Sequence, residues 1–291
     1  MFCVCPMKVK PGLIMVFLFG LNVLAWFWVY DLSQVKTLEI TFFDVGQGDA
    51  IFIETPESHQ ILIDGGPDGT VLEKLADEIP FWDRTIDLIV LTHPEHDHIG
   101  GLLEVLKRYK VENILWTGVL KETAEYKEWK RLIQEEGAKI YIAKRGLSAE
   151  PGLIEIKVLF PFESLENQEM SNTNNSSIIF RLVFENNSFL FTGDAPKTAE
   201  RQLLSQAKEE IRADVLKVGH HGSKTSSLEE FVAGVLPAVA VISVGRDNKY
   251  GHPSPETLET LEKYGIKIVR TDLEGNIKIT SNGQSYEVST F

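Results

Sequence analysis

The densest chemistry in the chain is the run His93-Pro94-Glu95-His96-Asp97-His98, with three imidazoles and two carboxylates inside six residues. Imidazole nitrogens and carboxylate oxygens are the usual ligands of borderline and hard divalent metals, and a merely solvated loop has no need of such a set. The run follows the strand-like Ile86-Asp-Leu-Ile-Val-Leu-Thr92 and precedes Ile99-Gly100-Gly101 and a helical pattern, so it occupies a strand-to-helix loop. Two more junctions of that kind carry candidates. Asp194 closes the apolar run Ser188 to Thr192 ahead of a helix near Lys197, and His220-His221 lie between Asp214 to Val218 and a helix after Ser227. Ligands at the same ends of neighbouring strands converge although they are distant in sequence. Adjacent side chains of an extended segment point oppositely, so one histidine of the pair is the direct ligand. His220 is the expected ligand, and His221 the neighbour that contacts substrate or orients a group.

Around these stand Asp64, at the end of Leu62-Ile-Asp64-Gly-Gly, and His252, in Tyr250-Gly-His252-Pro. Lys217, Lys224, Arg246 and Lys249 lie on the loops nearest the proposed ligands and are expected to form a basic rim for an anionic substrate, with Lys224, Arg246 and Lys249 as its contacts. The Gly222-Ser-Lys224-Thr225 stretch lacks the glycine spacing of a phosphate-binding loop.

The run from His93 resembles the H-x-H-x-D-H signature of the metallo-β-lactamase superfamily, with Glu95 where the second histidine usually stands. Asp44-Val-Gly-Gln-Gly-Asp49-Ala, Leu62-Ile-Asp64-Gly-Gly, Phe191-Thr-Gly-Asp194, Leu216-Lys-Val-Gly-His220-His221-Gly-Ser-Lys-Thr-Ser and Tyr250-Gly-His252-Pro follow in the order of one branch, the hydrolase-like domain of the ComEC competence proteins. The likeness spans residues 37 to 291 and leaves out the branch's multi-helix channel. It implies a four-layer αββα sandwich and one or two divalent ions, Mn or Zn. His93 and Glu95 would bind the first ion, Asp97 and His98 the second, with Asp194 bridging and Asp64 orienting ligands from behind. Glu95 makes the first position harder, in the direction of Mn²⁺. The Asn174-Asn175-Ser-Ser177 stretch stands where the family has a further histidine, with Asn175 the supporting residue.

The elements that position these residues are apolar runs bounded by turn formers. Thr37 to Phe43, Ala50 to Glu54 and Gln60 to Ile63 follow closely enough to predict an antiparallel meander, and from Ile86 onward strands alternate with helices. Apolar spacing of three and four predicts helices over Leu102 to Tyr109, Glu122 to Glu136, Lys197 to Lys208, Leu228 to Leu236 and Thr257 to Tyr264. Ser227 with Glu230 has capping-box spacing, and Ser254-Pro255 is a cap followed by proline. Glu163 to Asn175 reads as a long polar loop. Two runs of mixed elements predict two sheets with helices outside.

The chain carries 29 basic and 42 acidic residues for a net charge of −13, which excludes a general attraction to nucleic acid. Its two cysteines, Cys3 and Cys5, leave the rest of the chain without disulfide or thiolate ligand. Gly12 to Tyr30 has no charge and the length of a membrane span. Lys8 and Lys10 before it and Asp31 after it place the N-terminus inside the cytoplasm and the remainder outside. The expected organisation is a cytoplasmic segment 1–11, an anchor 12–30, a linker 31–36 and a hydrolase domain 37–291. A cleaved signal peptide, releasing a secreted domain, is the alternative. The expected activity is hydrolysis of a phosphodiester, DNA or another nucleotide-containing substrate, by a metal-activated water, with Asp97 in the reacting centre and His221 or His252 stabilising charge or protonating the leaving oxygen. Hydrolysis of a lactone, thioester or β-lactam, or a non-catalytic binding module with a weakened metal site, are the alternatives. The sequence points to no protein partner.

Overall fold

The computed structural model describes residues 10–33 and 36–291; Cys3, Cys5 and Lys8 lie outside them. Two compact units are present, Met1–Lys36 and Thr37–Phe291. In the first, α1 (Pro11–Ser33) is a helix of 23 residues. At 1.5 Å per residue that is about 34 Å, enough for a hydrocarbon core of about 30 Å. The uncharged stretch Gly12–Val29 contains no buried residue and is apolar enough to span a membrane.

In the second unit, apolar residues of period two build the first sheet. Leu38, Ile40 and Phe42 of β1 (Leu38–Phe42), Ile51 and Ile53 of β2 (Ile51–Glu54) and Ile61 and Ile63 of β3 (Gln60–Ile63) face one side, while Phe52 and Leu62 face the other. Both sides are covered, so the runs read as almost continuously apolar. These strands form the expected antiparallel meander, with Ile40 opposite Ile53 and Phe52 opposite Leu62. After it, β4 (Thr85–Val90), β5 (Lys110–Trp116) and β6 (Lys139–Ile142) add in parallel.

The second sheet holds β7 (Ser148–Ala149), β8 (Ile154–Phe160), β9 (Ile179–Phe184), β10 (Asn187–Phe191), β11 (Val215–Lys217), β12 (Val239–Ile242) and β13 (Lys267–Arg270), in the order β13-β12-β11-β10-β9-β8-β7. β10 to β13 run parallel. The chain then returns to the first sheet with β14 (Ile277–Ser281) beside β1 and β15 (Tyr286–Thr290) at the edge. Phe42, Phe180, Phe189 and Phe191 fill the space between the sheets, and Phe180 stacks on Phe191 with ring centroids 4.8 Å apart.

Helices cover the outer faces. α2 (Thr70–Glu78), α3 (His96–Leu106) and α4 (Ala124–Glu136) place Leu75, Leu102 and Trp129 against Phe52 and Leu62. α5 (Lys197–Gln206) and α6 (Glu229–Val235) place Leu203 and Phe231 against Leu190 and Leu216, and α7 (Pro255–Lys263) sets Leu261 on Ala240 and Ile242. The result is the predicted four-layer αββα sandwich. All the clusters of buried apolar residues lie within this unit.

Two local expectations need correction. Helix α3 starts at His96, six residues before Leu102, and runs through Gly100-Gly101. Those glycines permit a close crossing: a Cβ on Gly101 would lie 1.9 Å from the carbonyl oxygen of Gly65, and one on Gly100 2.1 Å from that of Pro67. The first turn of α3 is thereby held against the segment that carries Asp64. Ser227 does not cap α6; its backbone is left-handed (φ 59°), and the helix is capped from a distance. The Glu200 carboxylate of α5 accepts hydrogen bonds from the backbone N–H groups of Ser227 and Leu228, both at 2.7 Å. A buried carboxylate replaces the hydroxyl expected to satisfy the helix start. At α7 the cap is as predicted, with Ser254 Oγ accepting from Thr257 N at 3.3 Å and Pro255 following.

Candidate metal centre

The candidate ligands stand on loops after β3, β4, β10 and β11, each at the strand's C-terminal end. Asp64, just past β3, has a left-handed backbone (φ 56°) that turns its carboxylate inward. Its Oδ1 accepts from Thr92 N at 2.8 Å, and its Oδ2 from Thr92 Oγ1 at 2.7 Å and from His98 Nδ1 at 2.8 Å. His98 is thereby fixed with Nε2 facing the centre, 3.4 Å from Asp194 Oδ2. Because Thr92 spends its single proton on Asp64, it accepts from His93 Nδ1 at 3.0 Å. The Nε2 of His93 then carries the lone pair. It lies 3.9 Å from Asp194 Oδ2. His221 donates Nδ1–H to the carbonyl of Ser243 at 2.8 Å and directs Nε2 to Asp97 Oδ2 at 3.4 Å and Asp194 Oδ2 at 3.5 Å.

Buried polar atoms without partners are rare in folded proteins and need an explanation. Here His93 Nε2, His98 Nε2, His221 Nε2 and Asp194 Oδ1 are all buried and unpartnered. The sets His93, His98, Asp194 and Asp97, His98, His221 each offer ligand atoms within 4.8 Å of one another. A divalent cation fits this donor set: nitrogen and carboxylate ligands, with the opposite ring nitrogens held by carboxylate, hydroxyl or carbonyl.

The charges follow from burial and neighbours. Burial and the adjacent His98 hold His93 well below the ordinary imidazole range, so it is neutral. Burial opposes charge on His221, but Asp194 and Asp49 overcome it and push its pKa up to about 10. Burial likewise opposes charge on His98, and Asp194 and Asp64 hold it well above its usual range. Against the cost of burial, His221 and His98 keep Asp194 well below the ordinary carboxylate range. The buried carboxylates thus draw positive charge to the centre, either as protons on His98 and His221 or as a cation in place of those protons.

The geometry redistributes several expected roles. His221, not His220, belongs to the ligand sets. The pair is not extended: both residues have left-handed backbones (φ 51° and 53°), so alternation along a strand does not apply. His220 sits at the mouth with Nδ1 near Thr225 Oγ1 at 3.0 Å and Nε2 3.8 Å from Asp194 Oδ2. Glu95 joins no ligand set; its Oε1 turns away to Lys121 Nζ at 2.5 Å and to the Thr173 hydroxyl. Asn174, not Asn175, reaches the centre, with Nδ2 3.3 Å from His220 Nε2, while Asn175 Oδ1 faces Thr198.

Lys217 is no rim residue. It is 1% exposed, its Nζ contacts Asp49 Oδ2, and it donates to the Gly193 carbonyl at 3.0 Å. Asp49 also lies 3.4 Å from His221 Nδ1. The sequence reading gave Asp49 no role, although its motif was visible; a lysine inside the buried run Val215-Leu-Lys217-Val is the signal that a partner waits opposite. Lys224, Arg246 and Lys249 are exposed. Arg246 Nε donates to the Asp272 carbonyl at 3.1 Å, and Lys249 lies over the Tyr250 ring at 5.2 Å. His252 stands at the mouth, 5.8 Å from His220 by ring centroids, with Tyr250 stacked on it and Nδ1 buried without a partner.

Comparison with known proteins matches residues 43–246 to the model of the metallo-beta-lactamase superfamily. The ComE operon protein 3 of Bacillus subtilis is 34% identical over 82% of this chain and 32% of its own length. The competence protein ComA of Neisseria gonorrhoeae is 31% identical, again over 82% of this chain and 32% of its own. This chain therefore spans about a third of the curated relatives it matches. Among solved structures, the metallo-beta-lactamase fold protein YhfI from Bacillus subtilis aligns with TM-score 0.57 at 13% identity, over 84% of this chain and all of that one.

Proposed function

Because the chain belongs to the metallo-β-lactamase superfamily, we propose that it is a metal-dependent phosphodiesterase, with DNA or another nucleotide-containing molecule as its substrate. The observation that carries the hydrolase reading is the convergence of three buried, unpartnered imidazole nitrogens on Asp194. Asp97, His98, His221 and Asp194 would hold one divalent ion, Mn²⁺ or Zn²⁺, and His93 with Asp194 would begin a second position. When bound, such an ion supplies Lewis acidity toward a phosphoryl oxygen and acidifies water at neutral pH.

The chain's own groups do the rest. Asp64, Thr92 and the Ser243 carbonyl fix the three rings, so no reorientation is needed during reaction. Since His221 is buried among the ligands, the role of proton donor to the leaving oxygen passes to His252, with His220 beside it at the mouth. Burial and the neighbouring His220 and His221 hold His252 below the ordinary imidazole range, so it rests as neutral imidazole at pH 7 and would first accept the proton of the attacking water before passing it to the leaving oxygen. Lys224, Arg246 and Lys249 supply the cations that position phosphate. The basic side chains Lys224, Arg246 and Lys249 favour a phosphate-bearing substrate over a lactone, thioester or β-lactam.

The direct test assays residues 37–291 with Mn²⁺ or Zn²⁺ against DNA and generic phosphodiesters, beside Asp194→Asn. Wild-type turnover with metal, abolished in a folded Asp194→Asn that has lost metal, is the expected result. Full activity in that variant, or metal-loaded wild type that cleaves thioesters and no phosphodiester, overturns the reading. We further propose that α1 anchors the chain with the domain outside the cytoplasmic membrane. A C-terminal alkaline phosphatase fusion should be active in cells, and an inactive fusion refutes that orientation.

A further inference from the structure

Outside α1, the most exposed large hydrophobic side chains among the described residues are Phe81 and Trp82, at 80% and 74%. They are neighbours in the loop between α2 and β4, packed edge to face on each other with ring centroids 4.9 Å apart. Aromatic pairs of this size normally serve a core or an interface.

Strand direction locates the loop. β1 and β3 both run antiparallel to β2, and β4, β5 and β6 run parallel to β3. The starts of β1, β4, β5 and β6 therefore share one end of the sheet, opposite the end where the loops after β3 and β4 carry metal ligands. The chain enters the domain at Leu38, on the same end as Phe81-Trp82 and about three strand spacings, or about 14 Å, away. Cations cluster there too. Arg84 follows the pair and lies over the Tyr109 ring, Arg108 precedes β5, and Lys139 opens β6 over the Tyr141 ring; all three are exposed and in no ion pair among the described residues, and the exposed carboxylates Asp77 and Glu112 stand at the same end. Asp83 is turned inward, accepting from Gln60 Nε2 and Thr85 N.

We propose that Phe81 and Trp82 insert into the interface of an anionic phospholipid bilayer, with Arg84, Arg108 and Lys139 at the headgroups. This inference rests on the reading of α1 as a membrane anchor and goes beyond it: the domain itself touches lipid, at the end of its first sheet opposite the candidate metal centre. Amphipathic aromatics and cations are the groups that settle at such an interface.

The test uses residues 37–291, whose core is self-contained. Trp116 and Trp129 are 3% and 0% exposed, so Trp82 is the domain's one solvent-accessible indole. With phosphatidylglycerol vesicles, its emission should shift to the blue and be quenched by brominated acyl chains. Phosphatidylcholine vesicles should give weaker binding. Phe81→Ser with Trp82→Ser should reduce vesicle co-sedimentation by about tenfold or more, the loss of at least one large aromatic contact, with unchanged circular dichroism. Trp82 emission that stays solvent-like at every lipid concentration overturns the proposal, as does co-sedimentation unaffected by the double substitution. Failure of the anchor reads out separately: the full-length double variant should still pellet with membranes, and a soluble, unprocessed full-length chain would sink the anchor alone.

Discussion

Glu200 allows the sharpest quantitative prediction. It is 1% exposed on α5, and its two oxygens accept from the backbone N–H groups of Ser227 and Leu228, which lead into α6, the helix that follows the His220-His221 loop. Burial pushes its pKa up from 4.5 to about 7, against the opposing pull of the Leu228 and Ser227 N–H groups. The folded state therefore binds this proton more tightly than the unfolded chain. The stabilisation from the bound proton is complete below about pH 4.5 and is lost as pH rises through about 7. At about 1.4 kcal/mol per unit, the whole shift is worth about 3 kcal/mol, most of which falls between pH 5 and pH 8. Urea denaturation of residues 37–291 at pH 5, 6, 7 and 8, wild type beside Glu200→Gln, isolates the term because other titrating groups cancel in the difference. Wild type should lose about 2 to 3 kcal/mol relative to Gln across that range. A difference independent of pH would mean that the two N–H bonds outweigh burial and that the carboxylate titrates in its ordinary range.

His221→Ala should strip metal from the centre, whereas His220→Ala should retain it and lower turnover; metal content by mass spectrometry decides, and the reverse pattern restores His220 as ligand. Asp64→Ala should weaken metal binding about 10–100-fold through loss of the hydrogen bond that orients His98, measured by competition with a chromophoric chelator, and unchanged affinity removes Asp64 from the site. Lys121→Met should release Glu95 and raise the number of metal ions bound per chain, while unchanged stoichiometry leaves Glu95 outside the centre.

The meander, the αββα layers and the loops that carry His93, Asp97, His98 and Asp194 were legible because they follow from periodicity and from ligand types at strand ends. What stayed hidden was direction. Backbone conformation decides whether His220 or His221 faces inward, and two successive left-handed residues leave no trace in a pattern of strand and helix. The contacts of Glu95 were out of sight because its partners, Lys121 and Thr173, come from loops far away in sequence. Lys217 looked like a surface cation by residue type, and only the burial of its strand shows that it answers Asp49. The cap of α6 was assigned to the nearest hydroxyl, since a carboxylate 27 residues away cannot be found from spacing.

The crossing of Gly101 over Gly65 also bears on how such a protein can diversify. A side chain at Gly101 would collide with backbone, which no neighbouring rotamer change can relieve. The loop holding Asp64 and the helix turn holding Asp97 and His98 are thus fused into one casting, and changes there are lost together with the ligands. Heritable novelty in what the centre accepts is channelled to segments without such a crossing, those around Lys121 and Thr173-Asn174, which meet Glu95 and His220 beside the candidate ligands. Selection can rewrite these without disturbing the ligands, so new specificities should arise in them first.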